Sequence, residues 1–196
     1  MPRRKQVPDS EVLDHALAVL HDGGPRGLTF AALAAVCGLA PATLVQRFGG
    51  RGELLRRALL HAWDGLQART ARLGADAEPT PGGAVAFLVA LSEQYGGIDS
   101  YADALLVLRE DLRDPQVRRR GVAWRETLTA VLAGCLGGDR VAAGALATQW
   151  QGCLLWWSFD PHRPVTEHVR DELTAFVDRV LSPPAGSARG GTRTGP

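Results

Sequence analysis

Residues 30–50 read FAALAAVCGLAPATLVQRFGG, and the fold turns on how this stretch is parsed. Phe30 to Cys37 is almost wholly apolar and follows Thr29, whose hydroxyl suits the N-cap of a helix. Gly38 interrupts the run. Pro41 then opens a second run that closes on Phe48, Gly49 and Gly50. Proline fits there because the first amides of a helix have no intrahelical acceptor. The spacing predicts two short helices around a tight glycine turn.

The flanking segments repeat at helical period and none alternates as strands do, which predicts an all-α chain. A first helix starts at Asp9 or Ser10, either of which can cap it, places Leu13, Ala16, Leu17 and Leu20 on one face, and ends in HDGGPRG. A longer fourth helix begins at Arg51, keeps Leu55, Ala58, Leu59, Ala62 and Leu66 in register and runs to about Leu73. GADAEPTPGG follows as a linker. Further helices are expected over residues 83–95, 100–112, 115–136, 139–158 and 166–181, about nine in all. The 115–136 helix has Asp114 as cap, Pro115 at its first position and a stripe of Val117, Gly121, Trp124, Leu128, Val131 and Cys135. The 139–158 helix has two apolar or small faces, one with Val141, Ala145, Gly152 and Trp156, the other with Ala142, Leu146, Trp150, Cys153 and Trp157. It needs two partners.

Among the 196 residues, 45% are hydrophobic and 22 basic groups nearly balance 21 acidic ones, which places the chain in the globular class. The balance is uneven along the chain. Residues 1–57 carry eight basic and five acidic groups, residues 58–182 twelve and sixteen, so the front suits an anionic partner and the body does not. Cys37, Cys135 and Cys153 fit neither a disulfide framework nor a metal site and read as buried thiols. No apolar run approaches the ~18 residues of a membrane span and no targeting segment is evident, so a cytoplasmic protein without membrane contact is expected.

A capped support helix, a glycine turn, a second helix and a long linking helix have the order of a helix-turn-helix, whose second helix enters the major groove of DNA. Here LTFAALAAVCGLAPATLVQRFGGRGELL resembles the signature of the TetR family of bacterial transcriptional regulators. Thr29, Ala34, Gly38, Thr43, Leu44, Phe48, Arg51, Glu53 and Leu54 fall in matching places. The specific resemblance covers about residues 9–60. Three positions depart from it: Ala40 stands where a serine cap worth about 1 kcal/mol is usual, Pro41 where a polar residue is common, and Val45 where a tyrosine often meets phosphate.

On this reading residues 1–8 are a flexible basic arm, 9–57 a DNA-binding domain, 58–182 a ligand-binding and dimerisation domain, and 183–196 a disordered tail. Thr43, Gln46 and Arg47 are the candidates to reach bases, Gln pairing with adenine and Arg with guanine, and Ala42 is counted with them among the DNA-binding residues. Thr29 and Arg51 sit at helix N-termini suited to phosphate, and Arg3, Arg4 and Lys5 can enter the adjacent minor groove.

The resemblance implies a homodimer built on the last two helices. Gly144, Thr148 and Gly152 would permit close approach, while Trp156, Phe176 and Val180 would supply apolar area. Two reading heads about 34 Å apart imply a roughly palindromic operator in double-stranded DNA. It also implies a small-molecule pocket in the body. Trp63, Phe87, Leu91, Tyr101 and Leu105 are candidate lining residues, with Trp124, Leu128, Gln149, Trp150 and Cys153. They suit an apolar or aromatic ligand with few polar anchors.

Arg118 to Arg120 lie in the first turns of a helix and are expected to pair with Glu110, Asp111 or Asp114. The five histidines show no paired-ligand spacing, no nucleophile stands beside a base, and neither metal, cofactor nor catalysis is expected. The expected function is a ligand-responsive dimeric repressor. The alternative, motivated by Ala40, Pro41 and Val45, is a helical interaction protein that keeps the fold without reading DNA.

Overall fold

A computed structural model describes residues 7–181. The expected arm residues Arg3, Arg4 and Lys5 and the expected tail, residues 183–196, lie outside them. Among the described residues the chain is all-α: α1 (Asp9–Gly27), α2 (Phe30–Cys37), α3 (Pro41–Phe48), α4 (Arg51–Ala75), α5 (Pro81–Ser92), α6 (Ile98–Arg113), α7 (Pro115–Cys135), α8 (Arg140–Phe159) and α9 (Val165–Phe176). A 3₁₀ turn (Glu93–Tyr95) follows α5 and a π turn (Val177–Leu181) follows α9. No single helix here is long and apolar enough to cross a membrane.

Two cores result. Val12, Leu13, Ala16, Leu20, Leu28, Leu33, Leu44, Phe48, Leu54 and Ala58 close the first, around α1 to α3 and the start of α4. The second takes one face each of α5, α7, α8 and α9, with Trp150 and Leu146 fully buried at its centre. The two are joined by α4, one continuous helix of 25 residues that packs on α1 at its start and on α7 further along. At 1.5 Å per residue it spans about 37 Å. Helix α6 packs against both α1 and α7, a second bridge.

Local chemistry accounts for most boundaries. Thr29 Oγ1 accepts from Ala32 N at 3.0 Å, and Gly38 ends α2 at φ 68°, where a side chain would be strained. Asp114 accepts from Gln116 N at 2.8 Å with Pro115 at the first position of α7. Several boundaries differ from the sequence reading. Thr80 caps α5, accepting from Gly83 N at 3.0 Å, so that helix begins at Pro81 instead of residue 83. Helix α1 leaves helical geometry at Gly24 (φ 62°), within the HDGGPRG run expected to end it, and a short further turn reaches Gly27. Neither Asp9 nor Ser10 caps its N-terminus: Pro8, which has no acceptor side chain, holds the N-cap position, and Asp9 is the first helical residue. The regular turns of α9 stop at Phe176.

The pairing expected for Arg118 and Arg120 is corrected. Arg118 Nη1 donates to the Leu112 carbonyl at 2.6 Å, and Arg120 Nε reaches Asp64 of α4 at 3.0 Å. Asp114 instead takes Arg56 Nε of α4 at 2.6 Å. The cation ties α4 to the α6–α7 elbow.

Candidate nucleic-acid interface and sensor site

The axes of α2 and α3 meet at a bend of 112°, held by Leu33, Leu44, Phe48 and Leu54, all buried. This angle presents α3 outward across α2, as a helix-turn-helix requires. Pro41, Ala42, Val45 and Gln46 are exposed on α3, and Thr43 is half-buried. Thr29 is exposed while capping α2.

Arg47 and Arg51 are placed otherwise than the sequence suggested. Arg47 Nε donates to Asp9 Oδ1 at 2.9 Å, and its Nη2 contacts the same oxygen. Arg57 Nη2 donates to Asp9 Oδ2 at 2.7 Å and its Nη1 to the Arg47 carbonyl at 3.2 Å, with its guanidinium carbon 4.6 Å from the Phe48 ring centre. Hydrogen bonds from Arg47 and then Arg57 hold the Asp9 carboxyl below its usual range. Arg47 is thus a strut between α3 and α1. Arg51 Nε donates to the Leu28 carbonyl at 2.8 Å and its Nη2 to that of Pro25, which fixes the start of α4 against the end of α1.

In the body three tryptophans form a ladder. Ring centres lie 5.6 Å apart for Trp63 and Trp124 and 6.4 Å for Trp124 and Trp150. Gly121 makes room for it, since a Cβ there would stand 3.3 Å from the Trp63 ring. Buried indoles need acceptors, and Trp124 Nε1 finds Thr70 Oγ1 while Trp150 Nε1 finds Ser92 Oγ, both at 2.8 Å. Phe87, Leu91, Tyr101 and Leu128 are buried in the same core. Leu105 is not: it faces outward on α6, 40% exposed. Gln149 and Cys153 line a groove of about 320 Å³ with Gly152, Trp156, His168 and Glu172, at the surface of α8 and α9.

Asp111, which the sequence reading offered only as an ion-pair partner, stands beside this ladder. It is 9% exposed on α6, and its Oδ1 has no hydrogen-bond partner among the described residues. Burial pushes its carboxyl up to about 6, partly offset by the Trp63 side chain. Lying one residue after Glu110 and three before Asp114, it reads in sequence as part of a solvated acidic face.

Of the dimer candidates, Trp156 is 71% exposed, Val180 58%, and Thr148 exposed, with Gly144 and Gly152 half-buried. Phe176 packs partly against the body's own core. Val141, Leu155 and Phe159 extend the same exposed region of α8, Phe159 lying 5.7 Å from Trp156 between ring centres. Burial raises the Cys153 thiol to about 11 and that of Cys135 in the same direction, and Cys37 is half-buried. The described residues hold no cluster of three or more metal-ligating side chains.

A helix-turn-helix head on a long helix that runs into a helical body is the arrangement found in DNA-binding transcription regulators. Residues 12–58 match the family described as bacterial regulatory proteins, tetR family. This domain belongs to that family, and the chain as a whole has the fold of its solved structures. The multidrug binding protein EbrR, complexed with proflavin, is 25% identical, covering 84% of this chain and 96% of its own at a TM-score of 0.60. A TetR-family protein (SCO1917) from Streptomyces coelicolor A3 is 24% identical over 86% of this chain and 98% of its own, TM-score 0.65. A regulator from Saccharomonospora viridis in complex with choline is 17% identical over 86% and 94%, TM-score 0.66. None of the curated proteins matches the sequence.

Proposed function

We propose that the protein is a homodimeric repressor that leaves a palindromic operator when its body binds a small aromatic cation. The observation that carries this reading is the continuity of α4. The same helix places Leu54 and Ala58 in the core of the reading head and Trp63 and Thr70 against the tryptophan ladder. A ligand that parts Trp63 from Trp124 displaces α4, and through Arg56 and Asp114 it acts on the elbow beside it. The spacing of two reading heads changes with it.

The chemistry of the ladder supports a cation. Aromatic faces attract positive charge, and Asp111 offers an unpartnered carboxylate oxygen next to Trp63. Proflavin and choline, the ligands of the two relatives above, are both cations. The exposed region of Val141, Leu155, Trp156 and Phe159 supports pairing through α8, since a patch of this kind on a monomer marks an interface.

Fluorescence anisotropy on DNA from upstream of the coding region, across a salt series, tests the reading. About a thousandfold preference over scrambled DNA, weakening with salt, is expected. Benzyltrimethylammonium, which does not intercalate, should release the DNA and quench tryptophan emission, while its uncharged carbon analogue should do neither. Trp156→Glu should give a monomer in sedimentation and lower operator affinity about a hundredfold; a dimer of unchanged affinity would refute pairing through this face. A protein that prefers no DNA sequence would favour the helical interaction protein, for which the apolar surface of α2 and α3 is the supporting observation.

A further inference from the structure

We infer that the reading head recognises A·T pairs through the C5-methyl groups of thymine, with Ala42 and Val45 packing on the methyls and Gln46 pairing with adenine. The inference rests on the DNA-reading role of α3 and goes beyond it to the base chemistry.

The exposed face of α3 is unusually apolar. Pro41, Ala42 and Val45 are exposed, Val45 to 47%, and on the neighbouring α2 Val36 is 52% exposed. A recognition helix lies in the major groove, and Ala42, Val45 and Gln46, spaced three and four residues apart, share one face of α3. In the major groove the apolar feature a base offers to such side chains is the thymine methyl. Gln46, exposed on the same helix, carries the amide that pairs bidentately with adenine, the base opposite thymine.

The commonest reader of guanine is a free arginine or lysine, and α3 supplies only Arg47. That side chain is half-buried at the C-terminal end of α3, bound to Asp9, with Arg57 on the other carboxylate oxygen. Reaching a guanine would break a charge-assisted bond and separate α3 from α1. Arg47 therefore acts as a positioning residue. Its loss should weaken binding evenly across operator variants instead of at one base.

The test starts by selecting bound sequences from a random duplex pool with the full-length protein. Each thymine of the selected operator is then replaced singly by deoxyuridine, which removes one methyl and nothing else. An affinity loss of about fourfold is expected at two or more positions per half-site, the value of one buried carbon group. Val45→Ala, an exposed site whose change leaves the core intact, should abolish the loss at one of those positions and preserve it at the others. Specific binding that deoxyuridine leaves unchanged at every position overturns methyl reading while leaving the DNA-reading role intact. So does a guanine-centred operator whose preference disappears in Arg47→Ala. No enriched sequence at all would overturn the DNA-reading role, and methyl reading with it.

Discussion

The reading head and the body are stabilised by different means. In the head a small aliphatic core is braced at its surface by arginines: Arg47 and Arg57 on Asp9, and Arg51 on the carbonyls of Leu28 and Pro25. In the body the indoles of Trp124, Trp150 and Trp157 donate to Thr70, Ser92 and the Arg163 carbonyl, and an acid, Asp111, is buried without full satisfaction. Surface braces fix geometry at little cost to solvation and are sensitive to charge. A buried aromatic core holds far more free energy per residue, and a buried polar group left unsatisfied there, as Asp111 is, gains from any group that meets it.

The contrast breaks most visibly at Trp150. It is fully buried, and its indole donates to Ser92 Oγ, which in turn donates to the Leu88 carbonyl at 2.7 Å. Trp150→Ala should cost about 4 kcal/mol and lower Tm by about 10 °C in a thermal melt. A loss no larger than that of a surface brace would mean that the body is as loosely held as the head.

Local signals made much of this legible. Thr29, Gly38, Pro41, Asp114 and Pro115 act within four residues of themselves, so their roles follow from spacing. The tryptophan stripe on α7 and α8 was legible for the same reason, helical period. What joins the parts was not. Asp9 meets Arg47 and Arg57 across 38 and 48 residues, and Arg56 meets Asp114 across 58, separations at which a sequence carries no pairing rule. Asp111 was hidden because burial of a polar residue on an amphipathic helix is decided by its neighbours. Leu105 misled for the converse reason: α6 exposes Leu105, Leu106, Leu108 and Leu112, so apolar character there does not mark the core.

Asp111 sharpens the comparison. Its carboxyl is raised to about 6 from an ordinary 3.8, chiefly by burial. Such a group favours the folded state fully below about pH 4, and that contribution is lost as pH rises through about 6. Asp111→Asn, which never ionises, should therefore gain on the parent across that window and stay ahead above it. The shift sets an upper bound of about 3 kcal/mol, and a gain of about 1 to 2 kcal/mol at pH 7.5 is expected once the amide hydrogens must also find partners. Denaturant melts at pH 4, 6 and 7.5 measure it. The same variant should bind benzyltrimethylammonium at least tenfold more weakly. A variant less stable than the parent at pH 7.5 would show that the carboxylate has a partner after all.

The smallest effect is expected at Asp9, and its sign is opposite. Here the folded carboxyl is held below its ordinary range, first by the Arg47 hydrogen bond and then by that of Arg57. The contribution is present above about pH 4 and is lost as pH falls through the folded value. Asp9 is 45% exposed, so water screens the pair and the loss on Asp9→Ala should be about 1 kcal/mol, or about 3 °C in Tm. The gap between variant and parent should be constant from pH 5 to 8 and close below pH 4, the reverse of Asp111→Asn. Freed from Asp9, Arg47 no longer ties α3 to α1. Operator affinity should fall by a common factor at every base position, as it should for Arg47→Ala. A gain in preference for guanine at one position would instead mean that Asp9 had been restraining a reader, and the brace would then belong to specificity instead of stability.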